Sequence, residues 1–231
     1  MSTVDRLQSR VLPLLVAGQR LDQPTFHARY AAMPKETRAE LVAGVVYMAS
    51  PLRNAHGGMD HSLALWIMHY RRFTPRLESG ANVTNKVGDD GETQPDSYLR
   101  IKEDAGGQSR SVAGYVVGPA ELIIEIGDSS RSYDLGVKKA AYEKAGVLEY
   151  LFVGLEPEEV RWFGRRDGVF QEIPPGADGI HRSEVFPGLW LDAPALFTED
   201  LNGLIAALER GLATDEHARF VADLAGRRPG I

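Results

Sequence analysis

The spacing of apolar and polar positions predicts that the chain opens with a helical segment over residues 1–33. Residues 5–18 carry leucine and valine at helical spacing, and residues 24–32 predict a second short helix. From residue 40 to 48 the pattern becomes strand-like on both sides of Ala43-Gly44, which predicts a β-hairpin with its turn at those two residues. A hairpin is therefore expected directly after the helical segment.

The middle of the chain predicts a helix followed by three strands. Residues 61–72 are apolar around much of the helix circumference, as expected of a helix packed against a sheet. Three strand-like segments follow, at residues 81–87, 96–101 and 121–126. The last contains the continuous apolar run Leu122-Ile123-Ile124, which is typical of a buried central strand. Residues 102–119, rich in glycine, serine and charge, are interpreted as a loop ordered in part by residues 115–117.

The next helix is expected over residues 135–145. Asp134 precedes it in the position of an N-cap, and Gly146 follows in the position of a C-cap glycine. Further elements are predicted as a strand at 150–154, a hairpin of residues 159–163 and 169–173, a strand near 184–191, and helices at 201–212 and 214–224. The order helix, three strands, helix, strand indicates an α/β or α+β fold.

Composition limits the chemistry that is available. The 231 residues, 43% of them hydrophobic, suffice for one domain with a full core. No apolar run is long enough for a membrane span and the first eight residues lack a signal-peptide core, so we expect a soluble, cytoplasmic protein without a membrane partner. The absence of cysteine excludes disulfides, thiolate metal sites and cysteine nucleophiles. Any metal must be held by oxygen or imidazole.

The net charge of -6 disfavours strong non-specific binding to nucleic acid, which depends on lysine and arginine. A local basic surface remains compatible with this value. Each candidate basic group is more often an ordinary solvated face than a binding surface. The candidates are Arg71-Arg72 with Arg76, Lys138-Lys139 with Lys144, and Arg161 with Arg165-Arg166.

Two carboxylates and one amine are the main candidates for catalysis. Asp96 follows Pro95 at the start of a predicted strand, Glu125 lies in the buried strand, and Lys138 lies in the helix pattern that follows. Carboxylates on neighbouring antiparallel strands can hold a hard divalent cation, and a lysine can orient water or stabilise charge on a phosphate. Each residue also has a structural interpretation: Asp96 as a turn residue, Glu125 as a strand-end charge and Lys138 as a solvated lysine. Glu125 is the hardest to explain in this way, because an unpaired carboxylate in a buried strand is costly.

These residues, in this order, resemble the Uma-type restriction-endonuclease-like family of the PD-(D/E)XK nuclease superfamily. The similarity runs from about residue 24 to 196 and includes residues 39–48, His56-Gly57, Gly114-Tyr115, 118–122, 145–150 and 185–189. The resemblance implies a restriction-endonuclease-like αβββαβ core with a mixed central sheet, an extra N-terminal hairpin and flanking helices. It places the nuclease-like domain at residues 34–198, with C-terminal helices at 199–231 packed on the same domain.

The resemblance also implies roles for individual residues. Asp96 and Glu125 would bind Mg²⁺, with Mn²⁺ as a substitute, and the backbone carbonyl of Ile126 would be a further ligand. Lys138 would assist the attacking water.

Glu40 and His56 recur in the family pattern as weaker candidates. Glu40 would be a further metal or water ligand, or else an exposed hairpin charge. His56 would contact phosphate or water, or else cap a helix. His56 and His61 lack the spacing that presents two imidazoles on one helical face, so a zinc site is not expected.

The sequence departs from the family pattern at two positions. The superfamily motif commonly has lysine two residues after the glutamate, but that position is Gly127, and the matching lysine is Lys138 on the following helix. Ala43 stands where the family usually has an acidic residue. Both departures leave open whether the site is active.

The expected function is magnesium-dependent endonucleolytic cleavage of DNA, by a protein that could act as a homodimer. One alternative is a catalytically silent nuclease fold that binds nucleic acid or a protein. Another is a metal-dependent phosphodiesterase that acts on a small molecule. The chain contains neither a phosphate-binding loop motif nor a dinucleotide fingerprint, so nucleotide hydrolysis and redox cofactors have no support.

Overall fold

The computed structural model describes residues 12–48, 54–127 and 130–227. The helices are α1 (Gln23–Ala31), α2 (Asn54–Phe73), α3 (Arg131–Tyr133), α4 (Lys139–Ala145), α5 (Ala193–Phe197), α6 (Leu201–Leu212) and α7 (Asp215–Gly226). A π-helical turn, Asp134–Lys138, joins α3 to α4, and a 3₁₀ turn occupies Glu103–Ala105. None of the described helices has both the length and the apolar character that crossing a membrane requires.

The strands form two six-stranded sheets and one two-stranded sheet. They are β1 (Ala39–Val42), β2 (Val45–Met48), β3 (Leu77–Ala81), β4 (Asn85–Lys86), β5 (Glu92–Thr93), β6 (Ser97–Ile101), β7 (Arg110–Val112), β8 (Tyr115–Val117), β9 (Leu122–Gly127), β10 (Glu149–Leu155), β11 (Glu158–Arg166), β12 (Val169–Glu172), β13 (Ile180–Arg182) and β14 (Trp190–Asp192). The main sheet has the order β12-β11-β10-β9-β6-β3, the second sheet β2-β1-β5-β4-β8-β7, and β13 pairs with β14.

The main sheet is mixed, as expected. Strands β3, β6 and β9 pair antiparallel in chain order, whereas β10 runs parallel to β9 after the helical crossover 131–145. The succession α2, β3, β6, β9, crossover helix and β10 reproduces the predicted order of helix, three strands, helix and strand. The mixed α+β class is therefore confirmed.

Alternate residues of β9 face opposite layers of the core. Leu122 and Ile124 pack in the cluster that contains Trp66 of α2, whereas Ile123 packs in the cluster that contains Tyr142 of α4. Since side chains alternate along a strand, Glu125 lies on the same face as Ile123 and points towards the crossover helix. The buried apolar run thus carries one carboxylate into the interior.

The second sheet contains the predicted N-terminal hairpin. Its turn is Ala43-Gly44, both with positive φ, 50° and 74°, as a two-residue hairpin turn of the primed type requires. Strand β5 pairs with β1 through Leu41 and Glu92. Residues 94–96 then connect β5 directly to β6, so the chain passes from the second sheet into the main sheet next to Asp96.

Several sequence expectations require correction near the N-terminus. The helix expected over residues 5–18 does not form in residues 12–18, which have no regular structure and end in a turn, and residues 5–11 lie outside the described ranges. The helix expected at 24–32 is confirmed as α1. The strand expected at 81–87 is broken, because β3 ends at Ala81, Asn82 adopts a φ of 54°, and β4 belongs to the other sheet. The turn at 88–91 therefore joins β4 to β5.

Later elements differ in detail. Asp134 was expected to cap the crossover helix, but the helix begins three residues earlier and Asp134 lies inside it, in the π turn. Gly146 does end the helix, with a φ of 94°. The expected loop 102–119 contains the β7–β8 hairpin. The strand expected at 184–191 is reduced to β14, whereas the strand at 150–154, the 159–173 hairpin and the two C-terminal helices are confirmed.

Candidate active site

The pairing of β6 with β9 brings the two predicted carboxylates together. Ser97 lies opposite Ile124, so Asp96 and Glu125 occupy the next position of the same antiparallel ladder. The backbone N–H of Ile126 donates a hydrogen bond to Oδ2 of Asp96 over 2.7 Å. Asp96 is 9% exposed and Glu125 only 3%. The strand register therefore holds both acids at the same end of the sheet.

Glu125 is held by two donors on one of its oxygens. Nζ of Lys138 lies 2.8 Å from Oε1, and the Tyr142 hydroxyl donates to the same oxygen over 2.9 Å. Burial raises the pKa of Glu125 well above its usual value, Lys138 opposes this rise, and the nearby charges of Asp96 and Glu40 add to it. The buried acid is thus stabilised mainly by a single ammonium group.

Lys138 contacts carboxylates from two strands that belong to different sheets, Glu40 of β1 and Glu125 of β9. Its Nζ lies 3.3 Å from Oε2 of Glu40, which comes from β1, and Oε1 of Glu40 accepts a hydrogen bond from the Gln94 backbone over 2.7 Å. Burial alone would lower the pKa of Lys138, but the surrounding carboxylates raise it well above its usual value. The π turn ends at Lys138, and such turns are frequent at functional sites because they redirect side chains.

His56 approaches the site from α2. Its Nε2 lies 3.4 Å from Oδ1 of Asp96, and the hydrogen bond to Asp96 is the main cause of a raised pKa of His56. Asp60 lies one turn further along α2, and its Oδ1 is buried without a hydrogen-bond partner among the described residues. Burial and the charge of Asp96 raise the pKa of Asp60. All five predicted site side chains, Asp96, Glu125, Lys138, Glu40 and His56, are therefore brought together.

Sequence reasoning gave no site role to four residues around this group: Asp60, Tyr133, Asp134 and Tyr142. Tyr142 could have been found from its spacing, because it lies four residues after Lys138 on the same helix. Tyr133 packs against Tyr47 with ring centroids 4.5 Å apart, and its buried hydroxyl has no partner among the described residues. No sequence signal placed Tyr133 or Asp134 in the site, because the direction of both side chains depends on where the π turn begins.

The oxygen atoms of this site are of the kind that bind a hard divalent cation. Carboxylate and carbonyl oxygens suit Mg²⁺ and Mn²⁺, and the site contains more acids than bases. The residues expected to bind metal, Asp96, Glu125 and Ile126, are adjacent in the ladder. Within the described ranges, however, no three Asp, Glu or His side chains converge in a ready cage. A cation would compete with Lys138 for Glu125.

Packing explains why position 127 lacks a lysine. A Cβ atom at Gly127 would overlap the ring of Phe152 and lie 3.2 Å from Oδ2 of Asp134. No side chain fits at this position without movement of the β10 core. The ammonium group reaches Glu125 from Lys138 instead.

The basic groups expected on the surface are largely paired. Lys138 is buried in the site, and Lys139 lies over the Phe163 ring, 4.5 Å from its centroid. Other members form ion pairs, namely Lys144 with Asp90, Arg161 with Glu172 and Arg166 with Glu184. The candidate group Lys138, Lys139 and Lys144 therefore does not form a shared basic surface.

Comparisons with known proteins identify the family and the fold. A sequence model of the Uma2 family, described as "Putative restriction endonuclease", matches residues 24–194. A crystal structure of "a putative nuclease belonging to DUF820 from Anabaena variabilis ATCC 29413" superposes with a TM-score of 0.59 at 14% identity, covering 74% of this chain and 96% of that chain. At this identity the likeness shows a shared fold. No curated protein matches the chain in sequence.

Proposed function

Because this chain belongs to the Uma2 family, described as "Putative restriction endonuclease", we propose that it is a metal-dependent endonuclease that hydrolyses phosphodiester bonds in DNA. The observation that carries the proposal is the buried group of Glu125, Lys138 and Glu40 beside Asp96. A buried lysine shared by two carboxylates is an expensive arrangement for stability alone. Its position at the end of the central strands fits a catalytic role.

Asp96, Glu125 and the carbonyl of Ile126 would hold Mg²⁺ or Mn²⁺. When bound, such an ion supplies Lewis-acid polarisation of the phosphate and a lower pKa of a coordinated water. The ladder between β6 and β9 orients the two carboxylates, and the Ile126 N–H fixes the rotamer of Asp96. These contacts prepare the acids before substrate arrives, which is the condition for electrostatic catalysis.

Lys138 places a fixed positive charge next to Glu125, where it can orient the attacking water or stabilise negative charge that develops on the phosphate. Glu40 and Tyr142 hold this part of the site in place, through Lys138 and Glu125 respectively. His56 is positioned by Asp96 for a contact with phosphate or water. The surplus of carboxylates would repel the DNA backbone unless a divalent cation offset their charge.

One observation favours the alternative of a catalytically silent nuclease fold. Glu125 and Lys138 are 3% and 5% exposed and lie 2.8 Å apart, so each already has a partner of opposite charge without metal or substrate. Such a protein would bind nucleic acid or a protein partner without cutting.

Cleavage of supercoiled plasmid DNA in Mg²⁺ and in Mn²⁺, against EDTA, separates the two proposals. We expect nicked and linear products that require the cation, and their loss in Asp96→Asn. Glu158→Gln, a change at an exposed strand residue, is the matched control and should cut as the wild type does. DNA binding that is equal in cation and in EDTA, without cleavage, would favour the silent fold.

A further inference from the structure

Two fully buried polar side chains of the second sheet lack hydrogen-bond partners among the described residues. Asn85 is 0% exposed, and both its Oδ1 and its Nδ2 are unpaired. Thr93 is 1% exposed, and its Oγ1 is unpaired. Buried amides and hydroxyls almost always have a partner, either protein or ordered water. Exchanging the positions of Oδ1 and Nδ2 in Asn85 would not supply a partner, because neither atom has a hydrogen-bonding group within reach in the described part of the chain.

The two side chains lie next to each other. Asn85 of β4 is directly opposite Thr93 of β5 in an antiparallel pair, and cross-strand neighbours of this kind have Cβ atoms about 5 Å apart. On its other side Asn85 is opposite Val116 of β8, which belongs to the apolar cluster around Tyr142. The polar pair therefore faces an apolar interior that offers few other hydrogen-bonding groups.

The pair also adjoins the candidate active site. Thr93 and Ala141, the residue before Tyr142, line the same cavity between β5 and the crossover helix, and Thr93 opposes the rise that burial causes in the pKa of Tyr142. The Tyr142 hydroxyl donates its only proton to Glu125. A phenol that donates in one direction can still accept in another. Tyr142 therefore has an acceptor lone pair for a group on the side of Asn85 and Thr93.

We infer that Asn85 and Thr93 hold an internal water molecule that, through Tyr142, positions the carboxylate of Glu125. The water would accept hydrogen bonds from the Asn85 amide and from the Thr93 hydroxyl, and it would donate one proton to the Asn85 carbonyl oxygen and the other to the Tyr142 oxygen. Buried waters typically make about three hydrogen bonds of this kind. Asn85 and Thr93 are then positioning residues, because they act through Tyr142.

The inference deepens the proposed function and rests on it for its catalytic consequence. Tyr142 and Lys138 contact the same oxygen of Glu125. If the phenol were released, the carboxylate could rotate away from Asp96. Small errors in the placement of a catalytic group reduce turnover far more than they reduce binding.

The test is a pair of substitutions at one position. Thr93→Val removes the hydroxyl at nearly constant shape, and Thr93→Ser keeps it. Crystal structures of the wild type and both variants should show a water within hydrogen-bond distance of Asn85 in the wild type and in Thr93→Ser. In Thr93→Val that water should be lost and the distance from the Tyr142 hydroxyl to Glu125 should lengthen. Cleavage by Thr93→Val should fall about tenfold or more in kcat with little change in KM, and Thr93→Ser should restore it.

The structural and kinetic results separate the two proposals. A wild-type protein that never cuts, but has the water and loses the Tyr142 contact in Thr93→Val, would overturn the nuclease while supporting the positioning role. An active wild type with an active Thr93→Val would overturn the positioning role alone. Absence of water beside Asn85 in the wild type would also overturn it, and this result does not depend on whether the variants fold.

Discussion

The ring of Phe152 occupies the space that a side chain at position 127 would need. Gly127 ends strand β9, and Phe152 lies on the neighbouring parallel strand β10. The superfamily motif that the sequence resembles commonly has its lysine at position 127, which packing closes here. The crossover helix supplies the amine instead, through the π turn that ends at Lys138.

Substitution of Gly127 should therefore destabilise the protein. Gly127→Ala forces the Phe152 ring to move, and overpacking of this kind costs about 1–3 kcal/mol. Urea unfolding monitored by circular dichroism measures the change. Gly57→Ala on α2 is the matched control, because its Cβ would meet no atom within 4 Å and alanine favours a helix. Equal stability of Gly127→Ala and wild type would contradict the packing argument.

Glu125→Gln should abolish DNA cleavage while the fold is kept. The amide oxygen can still accept from Tyr142, but the negative charge next to Lys138 and the ligand for a cation are lost. We expect a fall in rate of about a thousandfold or more. Gel assays of plasmid cleavage give the rate, and thermal unfolding shows whether the variant folds. A folded variant that cuts at the wild-type rate would disprove the assigned site.

Lys138→Met should separate cation binding from catalysis. Lys138 competes with a cation for Glu125, so its removal should tighten Mn²⁺ binding while cleavage is lost. Isothermal titration calorimetry measures the affinity. Lys139→Met is the control, because its ammonium lies over the Phe163 ring outside the site. Weaker Mn²⁺ binding in Lys138→Met would show that the lysine supports the cation site instead of competing with it.

Glu149 should make stability depend on pH. The residue is fully buried and accepts hydrogen bonds from Ser183, the backbone of Glu184 and Val185, and Trp162. Burial raises its pKa to about 7. Between the unfolded value of about 4.5 and this value the folded state binds more protons, so the free energy of unfolding should fall as pH rises, by at most about 3 kcal/mol.

Comparison with Glu149→Gln isolates this contribution, since other titrating groups are common to both proteins. Urea unfolding from pH 4.5 to 8 should show the decline in the wild type and a smaller one in the variant. Parallel pH profiles would exclude Glu149 as the cause.

Ala43→Asn should stabilise the protein. Ala43 adopts a φ of 50° in the two-residue turn of the β1–β2 hairpin, a conformation that asparagine tolerates better than alanine. We expect a gain of about 0.5–1 kcal/mol in the free energy of unfolding, with cleavage unchanged. The paired change Ala43→Val should lose stability, because a β-branched residue disfavours positive φ. A loss of stability in Ala43→Asn would contradict the turn geometry.

The sequence identified the residues of the candidate site better than their arrangement. The run Leu122-Ile123-Ile124 marks a buried strand, and a carboxylate that follows it needs a partner, so Glu125 was predictable. The inward direction of Lys138 was not, because it depends on a π turn that no local pattern indicates. The closure of position 127 by Phe152 and the unpaired Asn85 depend on contacts between distant strands, which hydrophobic periodicity does not report.

The salt bridge between Glu40 and Lys138 joins positions roughly a hundred residues apart in the chain, and residues that contact across such separations tend to meet late in folding. Helix α2 and strands β3, β6 and β9 can associate through nearer neighbours before the hairpin from the other sheet is in place. A folding intermediate that lacks the hairpin would leave Lys138 and Glu125 formed as a pair without Glu40. The contact between Glu40 and Lys138 therefore depends on the docking of the hairpin against the crossover helix and not on the pairing of β1 with β2, which is local.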